Sequence, residues 1–169
     1  QKLGFDDRIN TLKASMDDLP FEPGEFDIIW SEGAIYNIGF ANGIQYWKKF
    51  LKEGGHLALS EITWTTSSRP QEIESFWTRE YPEIDTASNK IGVLENNGFS
   101  LVGYFTLSHK SWIDNYYKPL ETKFVSFLER HGNSRLARKV VTDYRSEISL
   151  YMKYKDYFSY GFYIAKKTN

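Results

Sequence analysis

Glu25-Phe26-Asp27-Ile28-Ile29-Trp30-Ser31, running into Glu32-Gly33, is the stretch on which the fold turns. Phe26 to Trp30 is apolar nearly throughout, the composition of a strand covered on both faces by helices. Upstream, Arg8-Ile9-Asn10-Thr11-Leu12-Lys13-Ala14 alternates apolar and polar residues, then breaks at Ser15-Met16-Asp17-Asp18-Leu19-Pro20-Phe21, the pattern of a strand entering a loop. Downstream, Asn42-Gly43-Ile44-Gln45 reads as a capping box, and Ile44, Trp47 and Leu51 recur at helical spacing until Gly54-Gly55. His56-Leu57-Ala58-Leu59-Ser60 is the third expected strand. Ser68 with Gln71 caps a helix through Ile73, Phe76 and Trp77, and a further helix from about Thr86 ends at Asn97-Gly98. A strand from Phe99 to Leu107 follows. Pro119 opens a helix with Leu120, Phe124, Phe127 and Leu128 inward, and Ala137, Val140, Val141, Tyr144, Ile148 and Tyr151 line another. Tyr160 to Lys166 is the last strand. Strands alternating with helices predict an α/β protein: a mostly parallel sheet with helices on both faces.

A chain of 169 residues is one domain by length and buries roughly two-thirds of its unfolded surface. With 41% apolar and 25% charged residues and no low-complexity tract, disordered and fibrous classes are excluded. No apolar run reaches the roughly 18 residues of a membrane span, and residues 1–20 hold no signal-peptide core. The absence of cysteine removes disulfides, thiolate metal sites and cysteine nucleophiles, and fits a cytoplasmic location. The three histidines, His56, His109 and His131, lack metal-ligand spacing, so packing or capping roles are expected and no metal is. The net charge of −1 divides unevenly, because residues 1–100 are acidic on balance and residues 101–169 basic. The basic charges interleave with an apolar helical stripe, the pattern of solvated helix faces rather than of a nucleic-acid surface.

In open α/β sheets ligands lie beyond the carboxyl ends of the strands. Three such ends carry acidic residues: Ser15-Met16-Asp17-Asp18, Ser31-Glu32-Gly33 and Ser60-Glu61-Ile62. The ordered set Ala14 to Phe21, Glu25 to Ser31, and Phe50-Leu51-Lys52-Glu53-Gly54-Gly55-His56-Leu57 resembles the later motifs of class I S-adenosylmethionine-dependent methyltransferases. Asn97-Gly98-Phe99 is similar to that family's approach to its sixth strand, and the likeness covers residues 1 to about 107. The resemblance implies a Rossmann-like sheet and S-adenosylmethionine as cofactor. It places the adenine beside Ser15, Met16 and Asp17, with Ser15 or Asp17 meeting the amino group, and the methionine end near Ser31 and Glu32.

The chain departs from the family in one large respect. Neither the glycine-rich first motif nor the acidic ribose-binding residue of the second strand is present. In the family's sheet order, 3-2-1-4-5-7-6, strands one and two stand between those ending here at Ala14 and Trp30, so both would show empty ladder edges. The expectation is a later portion of a longer chain, inactive alone, or a first strand that pairs elsewhere or with a second copy in a homo-oligomer. Leu3-Gly4-Phe5-Asp6-Asp7-Arg8-Ile9 then reads as the end of the preceding helix. Residues 1–111 make the later part of the core, 112–158 a helical cap or insertion, and 159–169 the final core strand.

Methyl transfer needs proximity, alignment and a dry pocket, with a base where the nucleophile carries a proton. Glu32 and Glu61 are the expected catalytic pair, one fixing cofactor or substrate and the other taking a proton. Tyr36, Trp64, Trp112, Tyr116 and Tyr117 are the candidate substrate walls, able to hold an ammonium or sulfonium by cation–π contact. The expected function is methyl transfer to a small molecule. Methylation of nucleic acid is disfavoured, since no cysteine is available for C5 chemistry and Ser31-Glu32-Gly33-Ala34 is unlike the Asn-Pro-Pro-Tyr type motif. The alternative is a non-catalytic binding or scaffolding module.

Overall fold

The computed structural model describes Gly4 and residues 8–168. Five strands form one sheet: β1 (Phe26–Glu32), β2 (Leu51–Trp64), β3 (Asp85–Thr86), β4 (Phe99–Thr106) and β5 (Phe158–Lys167). The order is β1-β2-β5-β4, with the short β3 also parallel to β2. β1 is parallel to β2, whereas β5 is antiparallel to both β2 and β4. Four strands therefore share a direction and β5 alone is reversed, placed between two earlier strands.

Helix α1 (Phe40–Lys48) connects β1 to β2, and α2 (Gln71–Glu80) and α3 (Ala87–Asn96) follow β2. Between β4 and β5 stand α4 (His109–Trp112), a π-helical turn at Ile113–Tyr117, α5 (Lys118–Glu121), α6 (Phe124–Arg130) and the long α7 (Arg135–Tyr154). Side chains alternate along β2 and sort into two cores. Leu57 and Leu59 meet Ile44 and Trp47 of α1 and Leu94 of α3, together with Tyr163 and Ala165. On the opposite face Ile62 and Trp64 pack with Ile73 of α2 and with Trp112, Tyr117 and Tyr151 of the insertion. Helices thus cover both faces, as expected, but the second face is covered only at its far end: Ile28, Trp30 and Phe105 remain exposed there.

Several sequence expectations change. Residues 9–14 form no strand and are exposed, leaving only an isolated bridge between Ser15 and Asp18. An alternating sequence supplies one strand's side chains but not the ladder partner it needs. β1 pairs with β2 alone among the described residues, so its other edge is open. The third strand is 14 residues long rather than five, and Gly54-Gly55 lies inside it as a bulge where the β1 register shifts. A side chain at Gly55 would crowd the Lys52 and Asp27 carbonyls, which is why glycine stands there.

Helix caps moved as well. α1 begins at Phe40 with the Glu83 carboxylate accepting from its backbone N–H at 2.6 Å, so a distant carboxylate does what Asn42 was expected to do. α2 starts after Pro70 without a side-chain cap, while Thr86 does cap α3 by accepting from Asn89. The helix expected from Pro119 is broken into α5 and α6. The reading of residues 3–9 as a helix end lies largely outside the described residues.

Gly43 is pressed against Ile35, the buried anchor of the 3₁₀ turn Ile35–Asn37. An added Cβ would stand 2.5 Å from Ile35 Cγ1. In an open helix Gly→Ala gains about 1 kcal/mol; overpacking costs about 1 to 3 kcal/mol. Gly43→Ala is therefore expected to lower the urea midpoint, and a midpoint at or above wild type would show that Ile35 yields freely.

Candidate functional site

Two neighbouring features gather at the carboxyl end of β1. The first is a cleft of about 390 Å³ along the open edge of this strand, walled by Met16, Leu19, Phe21, Trp47 and Phe50 and reaching Ser31, Glu32 and Ala34. The loop that forms its far wall is held by side chains of α1: the Trp47 indole N–H donates to the Met16 carbonyl at 2.9 Å, and the Tyr46 hydroxyl accepts from the Leu19 amide at 2.8 Å. Glu32 is exposed and accepts from the Trp30 indole N–H at 2.8 Å, which orients its carboxylate. Ser31 Oγ is buried with no partner in the protein.

The cleft brings Met16, Ser31 and Glu32 together as the sequence suggested. Ser15 and Asp17 do not line it; both are exposed and hydrogen-bonded to each other through Ser15 Oγ and Asp17 Oδ1.

The second feature surrounds Glu61. Expected beyond a strand end, it lies inside β2 and is 1% exposed. The β1 ladder ends at the pair Glu32–Ser60 and the β3 ladder begins at Thr63–Asp85, so on that side Glu61 and Ile62 face a notch with no strand. Glu61 Oε1 accepts from the Ile62 amide at 2.7 Å, and the Tyr36 backbone N–H also favours the charged carboxylate. Burial pushes its carboxyl up to about 7, against the favourable Ile62 amide and the Lys90 charge. Lys90 is itself buried, pushed down to about 8 by desolvation despite Glu61 and Glu83 nearby; its ammonium donates to the Glu83 carbonyl at 3.0 Å and stands over the Phe40 ring. Glu32 pairs with Ser60, so Glu61, one residue on, projects from the other face of the sheet. The two carboxylates are near in register but serve different pockets.

The aromatic candidates separate. Trp64 is buried between Phe158 and the Arg69 guanidinium, a packing position. Trp112 and Tyr117 are buried in the insertion core, where Trp112 stacks on Tyr160 at 5.1 Å and on Tyr151 at 4.9 Å. Tyr36 and Tyr116 are half exposed. Sequence reasoning missed Tyr160, whose hydroxyl lies within reach of Gly33, and Glu147, a desolvated carboxylate of α7 that accepts from Tyr117 at 3.1 Å. Tyr160 fell inside an expected strand, and no local signal marks a strand tyrosine whose ring reaches a neighbouring turn. His109 hydrogen-bonds the Lys155 carbonyl and His131 packs on Phe127, both structural positions. The described residues contain no cluster of three or more metal-ligating side chains, and no helix long and apolar enough to cross a membrane.

Because the folded-state pKa of Glu61 is raised, the native state holds its proton more tightly than the unfolded chain. Stability from this group is present below about pH 4.5 and is lost as pH rises toward about 7. The loss amounts to on the order of 3 kcal/mol at most. Glu61→Gln should flatten this dependence and gain stability relative to wild type at pH 8 over pH 5 in urea titrations. Parallel pH profiles for the two proteins would show that Glu61 is not desolvated.

Comparisons with known proteins agree with this geometry. Residues 1–59 match a family model described as a methyltransferase domain. No curated protein matches the chain. Among solved structures, a SAM-dependent methyltransferase from Geobacter sulfurreducens, in complex with S-adenosyl-L-homocysteine, is 16% identical with a TM-score of 0.76 over 95% of this chain and 65% of that one. The [4+2]-cyclase SpnF is 18% identical with a TM-score of 0.73, covering 98% of this chain and 58% of its own. Phosphoethanolamine N-methyltransferase 2 of Haemonchus contortus is 16% identical with a TM-score of 0.66, over 92% of this chain and 36% of that one. The chain thus spans about one-third to two-thirds of the length of these structures. Residues 1–59 match a methyltransferase domain, and the order β1-β2-β5-β4 with β5 reversed gives the chain the Rossmann-like fold of the methyltransferases it resembles.

Proposed function

We propose that the intact protein transfers a methyl group from S-adenosylmethionine to a small-molecule acceptor. The observation that carries this reading is the cleft at the end of β1, where apolar walls meet the strand-end pair Ser31 and Glu32. Its residues fit the cofactor. Met16, Phe21 and Trp47 offer flat apolar surface suited to a base, and the buried Ser31 hydroxyl awaits a polar partner. Glu32, oriented by Trp30, suits an ammonium group. When bound, the cofactor supplies an electrophilic methyl carried on a sulfonium sulfur.

The chain's own residues do the positioning. Glu61, held near neutrality, is able to keep or take up a proton at ordinary pH. The helices from His109 to Tyr154 cover the end of the sheet through Trp112, Tyr117 and Tyr151, and in this proposal they cap the acceptor. Phosphoethanolamine N-methyltransferase and geranyl diphosphate C-methyltransferase, both of this fold, act on small molecules. A scaffolding role without catalysis is the reading that the binding experiment decides against or for.

Calorimetry with S-adenosylhomocysteine should show binding to the intact protein, weakened about tenfold by Glu32→Gln, the equivalent of losing one charge-assisted hydrogen bond. No binding would leave the scaffolding role. In the ternary mixture with acceptor, amide exchange in residues 112–158 should slow; protection confined to residues 15–64 would make the helical insertion a structural appendage.

A further inference from the structure

We propose that the tip formed by α6 and the start of α7 is a docking surface for an anionic lipid bilayer, with Val125 and Leu136 entering the interface and Lys123, Arg130, Arg135 and Arg138 meeting the headgroups.

The tip is a tight reversal. Gly132 and Asn133 both take left-handed backbone, at φ of +57° and +49°, and the Asn133 amide donates to the Leu128 carbonyl at 2.8 Å. This brings the end of α6 directly onto the start of α7, where Ser134 caps the helix by accepting from the Ala137 amide. At the tip each helix gives the core one residue: Phe124 is buried beside Tyr144, and Ala137 is buried one turn ahead of Val141. Their neighbours Val125 and Leu136 turn away, 67% and 73% exposed, more than any other large apolar side chain among the described residues. Core packing accounts for neither.

The charges around them are of one sign. Residues 122–142 carry five Lys or Arg and a single acid, Glu129. Of the five, Lys139 is held by Asp143 one turn on. No ion pair among the described residues uses Lys123, Arg130, Arg135 or Arg138, and all four are exposed. A solvated helix face mixes signs at i,i+4 spacing, as Lys139 and Asp143 do. Arg135 and Arg138 also stand in the first turn of α7, which holds no acid and where a cation opposes the helix dipole. Helix stability therefore does not explain them; they complement a negative charge from outside.

The combination selects the partner. Nucleic acids and acidic proteins answer the cations alone, whereas a bilayer surface with anionic headgroups answers the cations and the exposed aliphatic side chains together. This surface stands independently of methyl transfer.

Sedimentation of the intact protein with vesicles tests it, using pure phosphatidylcholine and a mixture containing about one-third phosphatidylglycerol. The protein should sediment with the anionic vesicles only, and high salt should release it. At about fivefold per basic residue near such a surface, Arg135→Gln combined with Arg138→Gln should weaken binding about 25-fold. Leu136→Asn, at a position outside the core, should weaken it several-fold with an unchanged melting temperature. Lys49→Gln combined with Lys52→Gln removes the same charge elsewhere in the chain and should leave binding unchanged. Equal binding to both vesicles, binding to neither, or equal loss from the two double substitutions would overturn the surface. Binding to poly-glutamate or to an RNA oligomer as tight as to the anionic vesicles, and indifferent to Leu136→Asn, would replace the bilayer by an acidic macromolecule.

Discussion

Every ladder in this sheet depends on β2. Its 14 residues pair with β1 and β3 on one side and with β5 on the other, while β4 reaches the sheet only through β5. Hydrogen-bond satisfaction forces this arrangement: a backbone buried on both faces must find its partners in the plane of the sheet. Because β1 and β3 together fall short of covering β2, two residues remain uncovered, and the uncovered residue with a charge is Glu61. The gap beside Glu61 is a by-product of unequal strand lengths. The raised pKa of Glu61 follows from its burial there.

The interior around that gap is polar in a way that the two hydrophobic cores are not. Thr63 and Tyr163 share a hydrogen bond at 2.8 Å, Glu83 caps α1, and Lys90 lies flat against Phe40. A buried carboxyl shifted upward and a buried ammonium shifted downward are each poised close to neutrality, so their charges respond to what sits beside them. Neither is needed to hold the apolar cores together. Groups of this kind cost stability when buried, and their burial here is offset only in part by the Ile62 amide and the Glu83 carbonyl.

The strands at Phe26 and Phe99, the helices at Ile44 and Asn89, and the long α7 were legible because apolar spacing and end signals agreed there. The cleft residues Met16, Ser31 and Glu32 were legible for a second reason, their place after strands. What could not be read was anything set by distant partners. Arg8 to Ala14 has a strand's alternation but no neighbour to pair with; Glu61 sits inside a strand whose true end depends on β5; Glu83 caps a helix 43 residues away. Lys90 has the sequence signature of a surface residue and is buried. Tyr160 and Glu147 come together through the insertion, which no local pattern encodes.

The position of β5 has a consequence for biosynthesis. It is the fifth of the described strands in chain order, yet it occupies an interior place, and contacts such as that between Thr63 and Tyr163 span 100 residues of chain. Until the residues around Lys167 have left the ribosome, β2 lacks its antiparallel partner and β4 has no ladder partner among the described residues. Until β5 is available, Leu57, Leu59 and Phe99 can pack only against α1 and α3, a state of high contact order that carries a standing risk of association with other chains. Loss of β5 would release β4 as well, because β4 pairs with β5 alone among the described residues.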